Sequence, residues 1–208
     1  MQLIATCART FISYLFLIDI VKYDLIYSIP TIRAYRSAHL PEYLDCTKLG
    51  ELLMSCETVS AKGSRNYAIL LLLVKIGFRA SEVINLLLQD INWRIGVLKI
   101  TGKGGKSSNM PLPSEVGEAL SNYITRFRPK STSRHVFLST RAPFRKLSHA
   151  STISTIVRRQ LHTAGIETEC KGAHLMRYTA ATLCLKNGGS LLDACELLRH
   201  FSIDTTAI

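Results

Sequence analysis

Acidic side chains are scarce in this sequence. Its 208 residues include 15 Asp and Glu against 26 Lys and Arg, and the formal net charge is +11. The chain is 47% hydrophobic, which excludes a disordered tail and predicts a domain with a buried core. An excess of cations often serves a polyanionic partner such as nucleic acid, because neutralised phosphates release counterions. A membrane surface or solubility alone would explain the same charge, so it indicates a partner class and no activity.

Metal-binding cysteine patterns are missing. No C-x-x-C pair and no zinc-type spacing occurs, so we expect neither a metal site nor another cofactor. Several cysteines lie in apolar helical segments, which predicts reduced, buried thiols in a cytosolic protein. The six cysteines are Cys7, Cys46, Cys56, Cys170, Cys184 and Cys195.

A membrane-spanning run is missing as well. The apolar stretch from Phe11 to Val21 contains Asp19 and is followed by Lys22, so it falls short of the roughly 20 apolar residues that a span needs. It also lacks the clear basic start and the small-residue cleavage site of a signal peptide. We therefore predict an amphipathic core helix here, in a cytoplasmic protein without a membrane partner.

Helical periodicity dominates the rest of the chain. Residues 96–113 alternate instead, and a glycine-rich turn at 102–106 predicts a β-hairpin with a basic tip. The predicted fold class is mainly α with a small antiparallel β-hairpin or sheet (α+β). Residues 60–64 are interpreted as a polar break, Ser81 as a helix N-cap and 136–138 as a short buried strand. The predicted helices cover residues 1–28, 44–58, 67–76, 81–88, 114–127, 151–164, 173–186 and 191–200.

Five cationic side chains fall where a helix start, a turn or a helix end would hold them rigidly. They are Arg79, Lys103, His174, Arg177 and His200. Two guanidiniums can clamp the non-bridging oxygens of a phosphodiester, and a lysine or histidine can protonate a leaving oxygen without any metal. Taken singly, each has an ordinary alternative: a surface ion pair, a hairpin lysine, a solvated helix face or a helix C-cap. Their order and spacing favour phosphate binding.

Four sequence boxes carry these residues, and together they resemble the tyrosine recombinases, the phage (lambda-type) integrase family. GFRASEV at 77–83 is similar to the family's G-L-R-x-S-E-L. TGKGGKS at 101–107 with MPL at 110–112 is similar to G-K-G-x-K-x-R-x-x-P-L. HLMRY at 174–178 is similar to H-x-L-R-H, and LRHFSIDTT at 198–206 to L-G-H-x-S-I-x-T-T. One such box is weak, whereas four in this order are specific.

The resemblance implies the tyrosine-recombinase catalytic-domain fold and the breaking and rejoining of double-stranded DNA. Family members act as tetramers on DNA, and a bacterial, nucleoid-associated location follows. Arg79 and Arg177 would hold the scissile phosphate, and Lys103 would protonate the leaving 5′ oxygen. His174 and His200 would assist proton transfer and phosphate binding.

The sequence departs from the family pattern at two tyrosine positions. The family's nucleophilic tyrosine stands nine residues after the last box's histidine, which is directly beyond Ile208. The resemblance therefore implies a domain that does not cleave DNA by itself. Tyr178 stands where the family usually has histidine, and we expect its hydroxyl to point away from the site. Glu82 is expected to orient Arg79.

Both ends of the chain resemble truncated parts of a longer recombinase. The predicted domains are a remnant helix of an N-terminal core-binding domain (1–28), a basic linker (29–43) and a C-terminally truncated catalytic domain (44–208). Four functions stay open: a recombinase-family enzyme domain, a non-catalytic DNA-binding module at recombination sites, a topoisomerase with the same site, and a gene remnant without a role. Whether the chain is an enzyme by itself is open too. The first function predicts that the five cations converge on one basic cleft.

Overall fold

The chain divides into an N-terminal unit, residues 1–39, and a larger unit, residues 40–208. The structure, a computed structural model, describes residues 2–23, 25–29, 42–102 and 107–199. Lys103 and His200 lie outside the described residues, as does most of the predicted basic linker.

The helix of the N-terminal unit is shorter than predicted. α1 spans Gln2–Leu17, and a 3₁₀ turn covers Ile26–Ser28. Asp19 adopts a left-handed conformation with φ of 56°, and the N–H of Ile20 donates to the carbonyl of Leu15 at 3.1 Å. These are the features of a helix C-terminus. The prediction of one helix over residues 1–28 is therefore wrong in extent.

Apolar side chains of α1 are exposed. Phe11, Tyr14 and Leu17 each expose more than half of their surface. The expected core helix is therefore wrong in burial, because the described part of this unit offers α1 no second layer on which to pack. In the parts of the chain that the structure describes, no helix has the length and apolarity needed to cross a membrane.

The larger unit is built mainly from helices, as predicted. The segments, in chain order, are α2 Cys46–Met54, α3 Ala61–Lys75, α4 Ala80–Asn85, α5 Ser114–Asn122, α6 Ala150–Thr163, α7 Ala173–Lys186 and α8 Leu191–Leu198. A π-helical turn, Tyr123–Phe127, continues α5.

α3 is the central helix because its C-terminal half is apolar on all sides. Residues 68–74 are all buried, and the helix packs against α5, α6 and α7. Tyr123 and Phe137 extend this core, with ring centroids 5.7 Å apart. α3 begins earlier than predicted, since the hydroxyl of Ser60 accepts a hydrogen bond from the N–H of Gly63 at 3.1 Å. The supposed polar break is thus an N-cap and a first turn.

The predicted hairpin is the main part of a three-stranded antiparallel sheet of order β1–β2–β3. β1 spans Ile91–Asn92, β2 Val97–Thr101 and β3 Ser107–Pro111. Leu98 and Ile100 of β2 are buried, so the sheet packs one face on the core. β1 is only two residues long, which is too short for an alternation of apolar and polar residues to be recognised in the sequence. The fold class, mainly α with a small antiparallel sheet, is confirmed.

Residues 136–138 are buried but do not form the predicted strand. Two isolated β-bridges lie at the ends of this segment. His135, just before it, pairs with Leu87, and Leu138, its last residue, pairs with Lys146. A run of three apolar residues fits an irregular buried segment as well as a strand, so its hydrophobicity alone was misleading.

The cysteines are free thiols, but only some of them are buried. Cys56 and Cys195 are buried, whereas Cys7, Cys46 and Cys170 are exposed and Cys184 is half-buried. The prediction of buried thiols is therefore wrong for the exposed three. They lie on outward faces or in a loop, which an apolar sequence context does not exclude.

Candidate functional site

Gly77 brings the ends of three helices together. It follows α3 with φ of 66°, a left-handed conformation that glycine adopts without steric cost. A Cβ here would lie 3.0 Å from Cδ2 of Leu198 and 3.2 Å from the carbonyl oxygen of Leu197. The missing side chain therefore lets the end of α8 approach the α3–α4 junction closely. The backbone carbonyl of Gly77 also accepts hydrogen bonds from Arg177 and Arg199.

Arg79 is the N-cap of α4, a role that the sequence analysis wrongly gave to Ser81. The reason is the position of Glu82, whose Oε2 accepts a hydrogen bond from the backbone N–H of Arg79 at 2.7 Å. The Nη1 of Arg79 donates to Oε1 of the same carboxylate at 2.9 Å. Glu82 is 5% exposed, so the expected orientation of Arg79 by Glu82 is present in the structure.

α7 begins where the sequence predicts and carries two of the predicted site residues, His174 and Arg177. Its N-cap, Gly172, has φ of 152°, and a Cβ there would lie 3.1 Å from Cβ and Oγ of Ser154. The glycine therefore lets the start of α7 approach α6. His174 is exposed on the first turn, while Arg177, one turn later, is only 6% exposed.

Arg177 is held by backbone carbonyls. Its Nη1 donates to the carbonyl of Gly77, and its Nη2 donates to the carbonyl of Leu198 at 3.0 Å. Burial, with smaller contributions from the cations Arg79 and Arg199, lowers the pKa of Arg177 to about 10. The side chain is still protonated at neutral pH. A cation has thus been fixed at a position that disfavours its charge, which is common where an anion is to be bound.

These side chains meet at a cavity of about 510 Å³. Arg79, His174 and Arg177 all contribute to its wall, so the structure brings together three of the five predicted site residues. The other two, Lys103 and His200, lie outside the described residues. The cavity is lined by Arg79, Ala80, Ser81, Ala150, Ser151, Ser154, Ala173, His174, Arg177, Tyr178 and Leu198.

Helix starts form much of the cavity wall. The first turns of α6 and α7 contribute Ala150, Ser151, Ala173 and His174. The N–H groups of a first turn have no partner inside the helix, and the helix dipole places partial positive charge there. Backbone and side chains therefore favour the same ligand charge, and the cavity suits an anion such as a phosphate.

The expectation that the hydroxyl of Tyr178 points away from the site stays a prediction. Tyr178 itself is among the residues that line the cavity. It follows Arg177 directly on α7, and it is half-buried. The broad cavity reaches around the helix far enough to include both residues, which a helical-wheel argument for a narrow site does not anticipate.

Arg199 is a third arginine at the site, and sequence reasoning missed it. Its Nη2 lies 2.6 Å from Oε2 of Glu82 and donates to the carbonyl of Gly77 at 3.1 Å. Its Nη1 donates to the carbonyl of Ile76 at 3.1 Å. One signal was present: the quoted family box has glycine where this chain has Arg199. Among the described residues, the cluster therefore combines the guanidiniums of Arg79, Arg177 and Arg199, and the carboxylate of Glu82 pairs with those of Arg79 and Arg199.

Known proteins match this chain over most of its length. The family model described as the phage integrase family matches residues 42–208. The chain is 36% identical over 207 residues to the "Putative integrase/recombinase y4rA" of Sinorhizobium fredii, covering all of this chain and 50% of that protein. It is 30% identical over 203 residues to the tyrosine recombinase XerD of Lacticaseibacillus casei, covering 96% of this chain and 68% of that protein. The chain thus spans about half the length of the first relative.

A solved structure shows the same fold. The XerH site-specific recombinase, bound to its palindromic difH substrate in a post-cleavage complex, is 26% identical with a TM-score of 0.72. The match covers 87% of this chain and 52% of that one. With a family model over residues 42–208 and a shared fold, the chain belongs to the phage integrase family, the tyrosine recombinases.

Proposed function

We propose that this chain is the phosphate-binding catalytic domain of a site-specific DNA recombinase, and that its cavity holds a phosphodiester of double-stranded DNA. The observation that carries the proposal is the convergence of Arg79, His174 and Arg177 on one cavity. The chain is similar to a protein named tyrosine recombinase XerD and to XerH, which is described as a site-specific recombinase bound to its difH substrate.

Each of the three described residues has a proposed role that its surroundings support. Arg79 and Arg177 are the forks for the non-bridging oxygens, since Glu82 and backbone carbonyls restrict both guanidiniums. His174, exposed on the first turn of α7, supplies a hydrogen bond or a proton. Lys103 and His200 complete the proposed set, as general acid and as second proton-transfer group, by the family resemblance.

The wider assignment follows the same resemblance. We propose residues 44–208 as the catalytic domain and residues 1–28 as part of a DNA-clamping domain. The protein would act in the bacterial cytoplasm, on nucleoid DNA, as an assembly of several subunits. Its net charge of +11 suits association with a polyanion.

Duplex DNA binding at several salt concentrations tests the proposal. Arg79→Ala should weaken binding about tenfold and lower the salt slope by about 0.9, the contribution of one phosphate contact. Arg159→Ala is the matched control, because it removes the same charge from an exposed position on α6 that is not among the residues lining the cavity. Equal losses from the two variants, or no binding of duplex DNA, would contradict the proposal.

Covalent capture on nicked DNA, by the chain extended beyond Ile208 with a tyrosine and a short tail, separates an enzyme domain from a module that only binds. An adduct that depends on Arg79 and Arg177 supports strand cleavage by this domain. Salt-dependent binding without any adduct supports the non-catalytic DNA-binding alternative, and it leaves the phosphate site in place.

A further inference from the structure

Arg199 occupies a backbone conformation that is costly for any residue with a side chain. It is the C-cap of α8, with φ of 52° and ψ of 48°. A non-glycine residue in this left-handed region pays about 1 kcal/mol relative to glycine. The family box quoted above has glycine here, so this chain accepts strain that glycine would avoid. Favourable contacts of the arginine side chain would offset this conformational cost.

The contacts of the side chain show what it provides. Besides its ion pair with Glu82, Arg199 donates to three backbone carbonyls, those of Ile76, Gly77 and Leu197, at 3.1 to 3.2 Å. Its guanidinium carbon lies 5.5 Å from the ring centroid of Phe78. The side chain is 12% exposed. The side chain of Arg199 is thus held against residues 76–78, the segment between α3 and Arg79.

Two independent contacts connect Arg199 to Arg79. Glu82 divides its carboxylate between them: Oε1 accepts from Arg79 at 2.9 Å and Oε2 accepts from Arg199 at 2.6 Å. The backbone carbonyl of Arg199 also accepts a hydrogen bond from Nη2 of Arg79 at 3.2 Å. Nη1 of Arg79 therefore contacts the carboxylate that Arg199 also binds, and Nη2 of Arg79 contacts the backbone carbonyl of Arg199.

Charge leads to the same conclusion. Glu82 and Arg199 are not among the residues that line the cavity, whereas Arg79 is. With Arg79 alone as its partner, the buried carboxylate would neutralise the cation meant for the phosphate. Because Arg199 pairs with Oε2 of Glu82, it neutralises part of the carboxylate's negative charge. The positive charge of Arg79 is then less compensated by Glu82 and attracts an anion in the cavity more strongly.

We propose that Arg199 is a positioning residue for the DNA phosphate: it compensates and fixes Glu82, and Glu82 in turn orients Arg79 toward the cavity. Arg199 does not touch the phosphate itself. The inference rests on the proposed function only for the identity of the anion. The alternative is a purely structural staple that ties α8 to the α3–α4 junction.

A double-mutant cycle in duplex DNA affinity separates the two. Arg199→Gly keeps the left-handed backbone free of strain and removes only the side chain. We expect it to weaken binding about fivefold in the wild-type background and to have almost no effect in the Arg79→Ala background, because it acts through Arg79. Arg199→Lys, which keeps a cation beside Glu82, should restore most of the affinity. Equal losses in both backgrounds, or no loss in either, would overturn the proposal.

A second measurement keeps the inference independent of DNA. In ¹⁵N spectra of the arginine side chains of the whole chain, Arg199→Gly should shift and sharpen the guanidinium signal of Arg79, and Arg199→Lys should bring it back toward the wild-type position. An unchanged Arg79 signal would overturn the positioning role even if the protein stays folded. Failure of the wild type to bind DNA, with the Arg79 signal still responding, would remove the proposed function but leave the positioning relationship standing.

Discussion

Arg177 on α7 donates a hydrogen bond to the backbone carbonyl of Gly77, which lies in the short segment between α3 and α4. The two positions are 100 residues apart in sequence, yet this contact decides where the second guanidinium of the cavity lies. The same carbonyl accepts from Arg199. One backbone carbonyl therefore holds two arginines, and Arg199 is held by the carboxylate of Glu82 as well.

Substitution of Gly77 should show how close the helices must come. Gly77→Ala places a Cβ 3.0 Å from Leu198 in a left-handed conformation, and we expect the free energy of unfolding to fall by about 2–4 kcal/mol. Gly165→Ala is the control, since Gly165 has nearly the same φ of 67° but no atom within 4 Å of an added Cβ. It should lose only about 1 kcal/mol. Urea denaturation of both variants checks this, and similar losses would contradict the close-approach argument.

Removal of Arg177 should affect stability as well as binding. Arg177→Ala removes the Arg177 donor from the carbonyl of Leu198, while the carbonyl of Gly77 keeps Arg199 as a donor. We expect the free energy of unfolding to fall by about 2–4 kcal/mol, because a buried acceptor loses this donor and a buried side chain loses its packing. Arg177→Lys keeps the charge but not the fork, so it should retain part of the stability and little of the DNA affinity. Chemical denaturation measures the first effect and fluorescence anisotropy the second; unchanged stability in both variants would argue against this anchoring.

A buried hydroxyl fixes the start of the larger unit to α7. The Oγ1 of Thr179, which is fully buried, accepts a hydrogen bond from the N–H of Leu44 at 2.9 Å. Thr179→Val keeps the shape but orphans this N–H, and we expect a loss of about 1–3 kcal/mol in thermal or urea unfolding. Thr179→Ser keeps the hydroxyl and should lose less. The reverse order of the two variants would show that packing, rather than the hydrogen bond, dominates at this position.

Cys56 should make stability depend on pH in the alkaline range. Burial, partly opposed by a hydrogen bond from Gln160, raises the pKa of Cys56 from 9.0 to about 11. The unfolded chain loses this proton first, so the folded form becomes less stable as the pH rises from about 9 to 11, by at most about 1.4 kcal/mol per pH unit. Cys56→Ala removes this contribution. Unfolding free energies of wild type and variant, measured across that range, should converge as the pH rises; a constant difference would show that burial does not perturb this thiol.

The sequence predicted α7 and the hairpin because their signals are local. Residues 173–186 match the observed helix, and the alternation of residues 97–101 is a period-2 pattern that needs no tertiary information. The start of α3 was missed because its first turn is polar. It is stabilised by the Ser60 cap, which the apolar pattern does not report.

The site was predictable in part for the same reason. Arg79, His174 and Arg177 stand in motifs with fixed spacing, and the structure gathers them at one cavity. Arg199 was not recognised, because its contacts with Glu82 and Gly77 join positions more than 100 residues apart. The presence of Tyr178 in the cavity wall was not anticipated, because the width of the cavity depends on how α6, α7 and α8 pack, which one helix cannot reveal.

The most direct test of the phosphate site is a crystal structure of this chain with a short DNA duplex. We expect one backbone phosphate in the cavity, with its non-bridging oxygens about 3 Å from guanidinium nitrogens of Arg79 and Arg177 and with His174 within hydrogen-bond reach. A duplex bound to another face, with no phosphate between these two arginines, would contradict it.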